Sequence, residues 1–193
     1  PEMYESSSGS APIETVSDFE LSKISQLKTP NQVIAVVHIP VNEQTHNKEQ
    51  ALSLALDGIQ DPGNLGTIIR IADWFGVGHI ICSKDCADAY GSKAVQASMG
   101  SIFRVKLLYT DLNSWMDEQA NIIFYGAALD GMPLKTFTGL QKGVIVIGNE
   151  SKGIRSEVMK RINQKITIER FGEAESLNAA VATGIILSHL KQE

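Results

Sequence analysis

Leu52-Ser-Leu-Ala-Leu-Asp-Gly-Ile-Gln-Asp-Pro-Gly-Asn-Leu-Gly-Thr-Ile-Ile-Arg-Ile-Ala-Asp-Trp-Phe-Gly76 passes from an apolar run through a turn into a helical pattern. Residues 52–56 read as a strand, Pro62 and Gly63 as the turn, and Asn64 as the N-cap of a helix over Leu65–Phe75. The same alternation continues downstream. Strand-like runs lie at His79–Cys82, Phe103–Tyr109, Ile122–Leu129, Val144–Gly148 and Ile166–Ile168. Helical patterns separate them at Ser92–Ser98, Leu112–Gln119, Ile154–Arg161 and Ser176–Leu190. Near-continuous apolar strands alternating with helices imply an α/β fold, a mostly parallel sheet with helices on both faces. Ligands in such folds sit at the carboxyl ends of strands.

Upstream, the pattern is different. Residues 6–11 (SSSGSA) read as a linker, Asp18 to Leu27 as a short helix stopped by Pro30, and Asn31 to Pro40 as a β-branched strand. A polar break, Asn42 to Gln50, separates this region from the α/β part, so the expected division is 1–45 and 46–193. The chain starts at Pro1 and has the look of a trimmed piece, its first segment being a linker and the remnant of a further domain.

The 193 residues suit one main domain with an appendage. With 43% hydrophobic and 20% charged residues, the composition excludes collagen-like and wholly disordered readings. No apolar run reaches the ~18–20 residues of a membrane span, which points to a soluble protein without a membrane partner. Cys82 and Cys86 are too few for a disulfide framework and fit no zinc spacing; reduced thiols in a cytoplasmic protein are expected, and no metal site. The net charge of −5 argues against a wholly basic nucleic-acid coat. Between Lys142 and Arg170, however, seven basic residues face three acidic ones, either an anion-facing surface or a solvated face.

Three segments carry chemistry. In the first, Arg70 has Ile68, Ile69, Ile71, Ala72, Trp74 and Phe75 as neighbours, and an arginine buried among them requires a partner or a ligand, unless it snorkels to the surface. The second, Val146-Ile-Gly148-Asn149-Glu150-Ser-Lys-Gly153-Ile154, runs from a strand into a glycine-bounded loop able to approach a ligand closely; Glu150 also reads as a helix cap. In the third, Ser176 reads as the N-cap of the last helix, and Asn178, a poor helix former just inside it, reads as having a further task. Gly76-Val-Gly78 lacks the third glycine of a dinucleotide motif and precedes a strand instead of following one, which disfavours an oxidoreductase.

Taken together and in order, D-P-x-N-x-G-x-x-x-R-x-A-x-x-F-G at 61–76, G-N-E-x-x-G at 148–153 and S-L-N from 176 resemble the SpoU–TrmH family of RNA ribose 2′-O-methyltransferases, of the SPOUT superfamily, over about residues 51–190. The resemblance implies six parallel strands, a C-terminal deep trefoil knot and methyl transfer from S-adenosylmethionine (SAM) to a ribose 2′-hydroxyl of structured ribosomal or transfer RNA. It implies Asn64, Arg70, Glu150, Ser176 and Asn178 as the catalytic positions. It also implies that Ala127, Ala128, Leu129, Gly148, Asn149, Ile168 and Leu177 hold SAM, largely through backbone groups. A homodimer is implied too, with Trp74, Phe75, Ile185 and Leu187 as candidate apolar contacts, as is an N-terminal RNA-binding domain joined through residues 18–40. One departure stands out: Glu169 follows Ile168 where the family usually has proline, which places a negative charge at the cofactor loop. The alternative is a module that keeps the fold and binds RNA without catalysis.

Overall fold

The computed structural model describes residues 12–25, 27, 29–39, 52–119, 121–137 and 139–191. The chain divides into two compact units, Pro1–Ile39 and Pro40–Glu193. The linker at 6–11 and the boundary expected at 45/46 lie outside the described residues.

In the first unit, helix α1 (Asp18–Ile24) begins with a capping box: Glu20 N–H donates to Ser17 Oγ at 3.3 Å, and Ser17 N–H donates to Glu20 Oε2 at 2.9 Å. The strand expected at 31–40 is not found. Residues 31–39 have no regular structure, and Val36 is 97% exposed. A β-branched run favours extended backbone, but a strand exists only with a partner to accept its hydrogen bonds, and among the described residues this run has none.

The second unit is built on six strands, β1 (Leu52–Asp57), β2 (His79–Ser83), β3 (Lys106–Thr110), β4 (Phe124–Pro133), β5 (Gly143–Gly148) and β6 (Gln164–Thr167). Every pairing is parallel, in the order β3-β2-β1-β5-β4-β6. The helices are α2 (Pro62–Trp74), α3 (Ser92–Ser98), α4 (Leu112–Asp117), α5 (Ser156–Met159) and α6 (Ala179–Leu190). Because side chains alternate across each strand, the sheet buries two cores. Leu52, Leu54 and Leu56 pack with Ile68, Ile69, Ile186 and Leu187 on one face, beneath α2 and α6. Ala55, Val144 and Val146 pack with Trp115, Met116 and Val158 on the other, beneath α4 and α5.

Several expected details move. Asp61 caps α2 in place of Asn64: Asn64 N–H donates to Asp61 Oδ1 at 2.9 Å, which frees the Asn64 amide for longer-range contacts. Asn178 caps α6 in place of Ser176, with Ala180 and Val181 N–H donating to its Oδ1 at 2.9 and 3.2 Å. Strand β3 starts at Lys106 because Ser101–Phe103 winds into a 3₁₀ turn, and α5 keeps only four residues of the pattern at 154–161. Arg70 is exposed. Thr67, Arg70 and Trp74 form the solvent stripe of α2 while Leu65, Ile68, Ile69 and Ala72 turn inward, so its apolar sequence neighbours do not enclose it. Of the four candidate dimer contacts, Leu187 is fully buried and Phe75 packs against the core, whereas Trp74 (82%) and Ile185 (39%) remain exposed. Cys82 is a buried strand thiol in β2.

Candidate active site

The carboxyl ends of β1 and β5 open onto a loop that the chain secures by buried charge. Asp57, the last residue of β1, has a fully buried side chain. Its Oδ2 accepts from Arg155 N–H at 2.7 Å and its Oδ1 from Arg155 Nε at 2.6 Å. The same guanidinium lies 3.4 Å from Asp85, and it is the Asp57 carboxylate foremost that raises the Arg155 pKa above the ordinary value. The Ser83 hydroxyl, donating to Asp85 Oδ1 at 2.6 Å, holds Asp85 below the usual carboxylate range. A buried charge is tolerated only when its lone pairs are filled, and Asp57 meets that condition by gripping the segment that follows the loop. Sequence reading gave Asp57 and Arg155 no role; the one local signal was a carboxylate closing an otherwise apolar strand.

Loop 149–153 is then closed on itself. Asn149 N–H donates to Gly153 O at 3.0 Å and Gly153 N–H returns to Asn149 O at 2.8 Å. The Asn149 side chain donates to Gly58 O at 2.8 Å and accepts from Ser151 and Lys152 N–H, so its amide is committed to shaping the loop. Gly148 is indispensable to this closure: a Cβ there would stand 2.2 Å from the Gly153 carbonyl carbon and 2.3 Å from Ile154 N.

The closed loop presents Glu150 to two other elements. Asn64 Nδ2 donates to Glu150 Oε1 at 2.6 Å, and Asn178 Nδ2 donates to Asn64 Oδ1 at 2.9 Å. One relay thus joins the β5 loop, the first turn of α2 and the N-cap of α6, residues up to 114 positions apart. Asn64 spends both ends of its amide within the chain, and its part in the relay is to hold two neighbours. Arg70 and Ser176 lie outside it; both are exposed, and neither side chain makes a hydrogen bond or ion pair with the described residues.

The remaining positions line a second edge. Ala127 and Ala128 on β4 and Ile168 just past β6 are half-buried, and Leu129 (74%) and Leu177 (46%) are exposed. Among the described residues, the backbone N–H groups of 169–177 donate to no group of the chain. A loop with free backbone donors, beside apolar side chains, suits a small molecule bearing both an apolar body and polar edges. The basic stretch 142–170 is partly neutralised, since Arg155, Arg161 and Lys165 pair with Asp57, Asp117 and Asp130. Lys142, Lys152 and Lys160 remain exposed and unpaired among the described residues. The neighbouring Cys82 and Ser83 side chains hold the Cys86 thiol down at about 7.

A family model for the SpoU rRNA Methylase family matches residues 51–188. A 23S rRNA guanosine 2′-O-methyltransferase of Bacillus subtilis, RlmP, is 32% identical over 179 residues, covering 91% of this chain and 71% of that protein. A TrmH-family protein from Porphyromonas gingivalis superposes with a TM-score of 0.76 at 34% identity, over 92% of this chain and 72% of that one. The SpoU methyltransferase AviRb from Streptomyces viridochromogenes, solved with its cofactor AdoMet, superposes with a TM-score of 0.71 at 28% identity, over 78% of this chain and 64% of its own.

Proposed function

The chain belongs to the SpoU rRNA Methylase family, and on that premise we propose that it carries the catalytic unit of an RNA 2′-O-methyltransferase acting on ribosomal or transfer RNA. It is a SAM-dependent enzyme: a solved SpoU methyltransferase of this fold holds AdoMet, and the free backbone edge at 169–177, with Ala127–Leu129 as the apolar side, fits such a ligand. That edge carries the reading. Bound SAM supplies an electrophilic methyl group on a sulfonium.

The chain's own residues supply alignment and charge. Arg70, exposed and without a partner among the described residues, holds the target ribose and its neighbouring phosphate. A guanidinium donates through a rigid planar fork and does not accept a proton, so Arg70 stabilises the charge that develops at O2′ as its proton passes to solvent. Glu150, Asn64 and Asn178 fix the three segments against one another, with Ser176 orienting the substrate beside them. The backbones of Gly148, Ile168 and Leu177 would hold the cofactor, with Asn149 shaping the loop beside it, and the C-terminal trefoil knot of the family would keep these loops together.

We assign the active particle as a homodimer that works in the cytoplasm, where its RNA is. Trp74 and Ile185, on the two helices that pack together, remain exposed as apolar contacts for a second copy. Light scattering at micromolar concentration should give about twice the 21.0 kDa chain mass, and a monomer would remove this assignment. Methyl transfer is tested with labelled SAM and RNA from cells lacking the gene, followed by mapping of ribose methylation. Incorporation at one ribose is expected. Binding of S-adenosylhomocysteine without incorporation would instead favour the non-catalytic RNA-binding module.

A further inference from the structure

Strand β4 and the chain leaving β6 are joined by two ion pairs of opposite sense. Lys165, within β6, reaches Asp130 Oδ2 on β4 at 2.6 Å. Four residues later, Glu169 Oε1 accepts from Lys135 Nζ, in the 3₁₀ turn Leu134–Thr136 after β4, at 2.8 Å. The first bridge has its acid on the β4 side; the second has its acid on the β6 side. Between them the two backbones touch, for a Cβ on Gly131 would stand 2.7 Å from Ile166 N and from Ile166 C. The ladder is irregular at that point, with Ala127 and Met132 both paired to Ile166. The Thr167 hydroxyl adds a bond to Leu129 O at 3.3 Å.

A bulge weakens the backbone's own control of register, because the residues within it are left out of the ladder. Side-chain charge is well placed to restore that control. Sliding β6 forward along β4 brings Lys165 toward Lys135 and sliding it back brings Glu169 toward Asp130, a like-charge approach in either direction, so only the observed register satisfies both pairs. The segments aligned in this way are Ala127–Leu129 and the loop from Ile168 to Leu177.

We infer that Asp130–Lys165 and Lys135–Glu169 form an electrostatic clip that sets the register of the two cofactor-lining segments, making SAM affinity dependent on these four side chains and on ionic strength. This inference rests on the reading of those segments as the cofactor edge. The four are positioning residues: they act on the ligand through the backbones they align. Each pair has a side chain at least 67% exposed, so salt reaches both.

The test is calorimetric titration of S-adenosylhomocysteine into the whole chain at low and high salt. Each of K135Q, E169Q, D130N and K165Q weakens binding by about 2–5-fold at low salt, the range expected for one exposed ion pair, and responds less to salt than wild type. The charge-swapped K135E/E169K returns affinity to within about twofold, which a merely steric role for either side chain would not allow. In ligand-free protein, K135Q also speeds tryptic cleavage after Arg170, on the clipped loop, and leaves the residues around the cleaved bond unchanged. Single variants that bind like wild type with the same salt response would overturn the clip. If wild type binds no S-adenosylhomocysteine, the cofactor reading fails by itself, and an unaltered cleavage rate in K135Q then overturns the clip as well.

Discussion

Arg70→Ala leaves S-adenosylhomocysteine binding within about twofold and lowers single-turnover methyl transfer to RNA by about 100-fold or more, the scale of one lost transition-state charge contact. The structure sharpens this expectation. Arg70 makes no ion pair with the described residues and stands on the solvent stripe of α2 with Thr67 and Trp74. Removing it therefore breaks no hydrogen bond or ion pair among them, and the melting temperature should stay within the small range of ordinary surface substitutions, about 0.5 kcal/mol in stability. Arg70→Lys does not rescue turnover, because a point charge on a flexible stem lacks the two-pronged geometry that a ribose and its phosphate call for. A folded Arg70→Ala protein with near-normal single-turnover rate would refute the role.

What the sequence made legible follows from the range over which each signal acts. Period and turn chemistry are local, and they place β1, β2, β5, α2 and α3 within a few residues of their observed ends. The run at 31–39 shows the limit of the same reasoning: Val33, Val36, Val37 and Ile39 have the side chains of a strand, but pairing depends on another segment that composition does not reveal. Arg70 marks a different limit. Its neighbours in sequence are apolar, yet burial on a helix is decided by the residues three and four positions away, and on that face its neighbours are Thr67 and Trp74. Asp57 and Arg155 meet across 98 positions, a separation for which no local signal exists.

Asn178 shows how a residue can be singled out on a premise that the structure replaces. It looks like a poor helix former just inside α6, but it stands at the N-cap, where asparagine is favoured: its Oδ1 caps α6, and its Nδ2 is left to reach Asn64. Asn64 itself gave a misleading cue. It has the chemistry of an N-cap, but Asp61 stands three residues earlier and takes that position, and the consequence is functional: an amide released from capping becomes the link between two loops.

That link is most sharply probed by Asn64→Asp. The substitution keeps the oxygen that accepts from Asn178 and replaces the donor to Glu150 with a second oxygen, so two carboxylates face each other across a contact of 2.6 Å in wild type. One of the pair must then take up a proton, and the coupled pair titrates above the ordinary carboxylate range. The sign follows from that rise. A raised folded-state pKa means that the variant is close to wild-type stability below about pH 4, where unfolded carboxyls are protonated too, and loses stability as pH rises through the raised value. Turnover should follow the relay: a fall of about 100-fold at pH 8, where repulsion separates the loop of Glu150 from α2, and partial recovery toward pH 6. Adding Glu150→Gln to that variant places an amide donor opposite the new carboxylate, with the hydrogen bond reversed, and should recover most of the stability and flatten its pH dependence. Asn64→Ala offers no such recovery, because it leaves both Glu150 and Asn178 without their partner. A pH-independent Asn64→Asp enzyme of wild-type activity would show that the three segments are held by their backbones alone, and the relay would have no part in positioning.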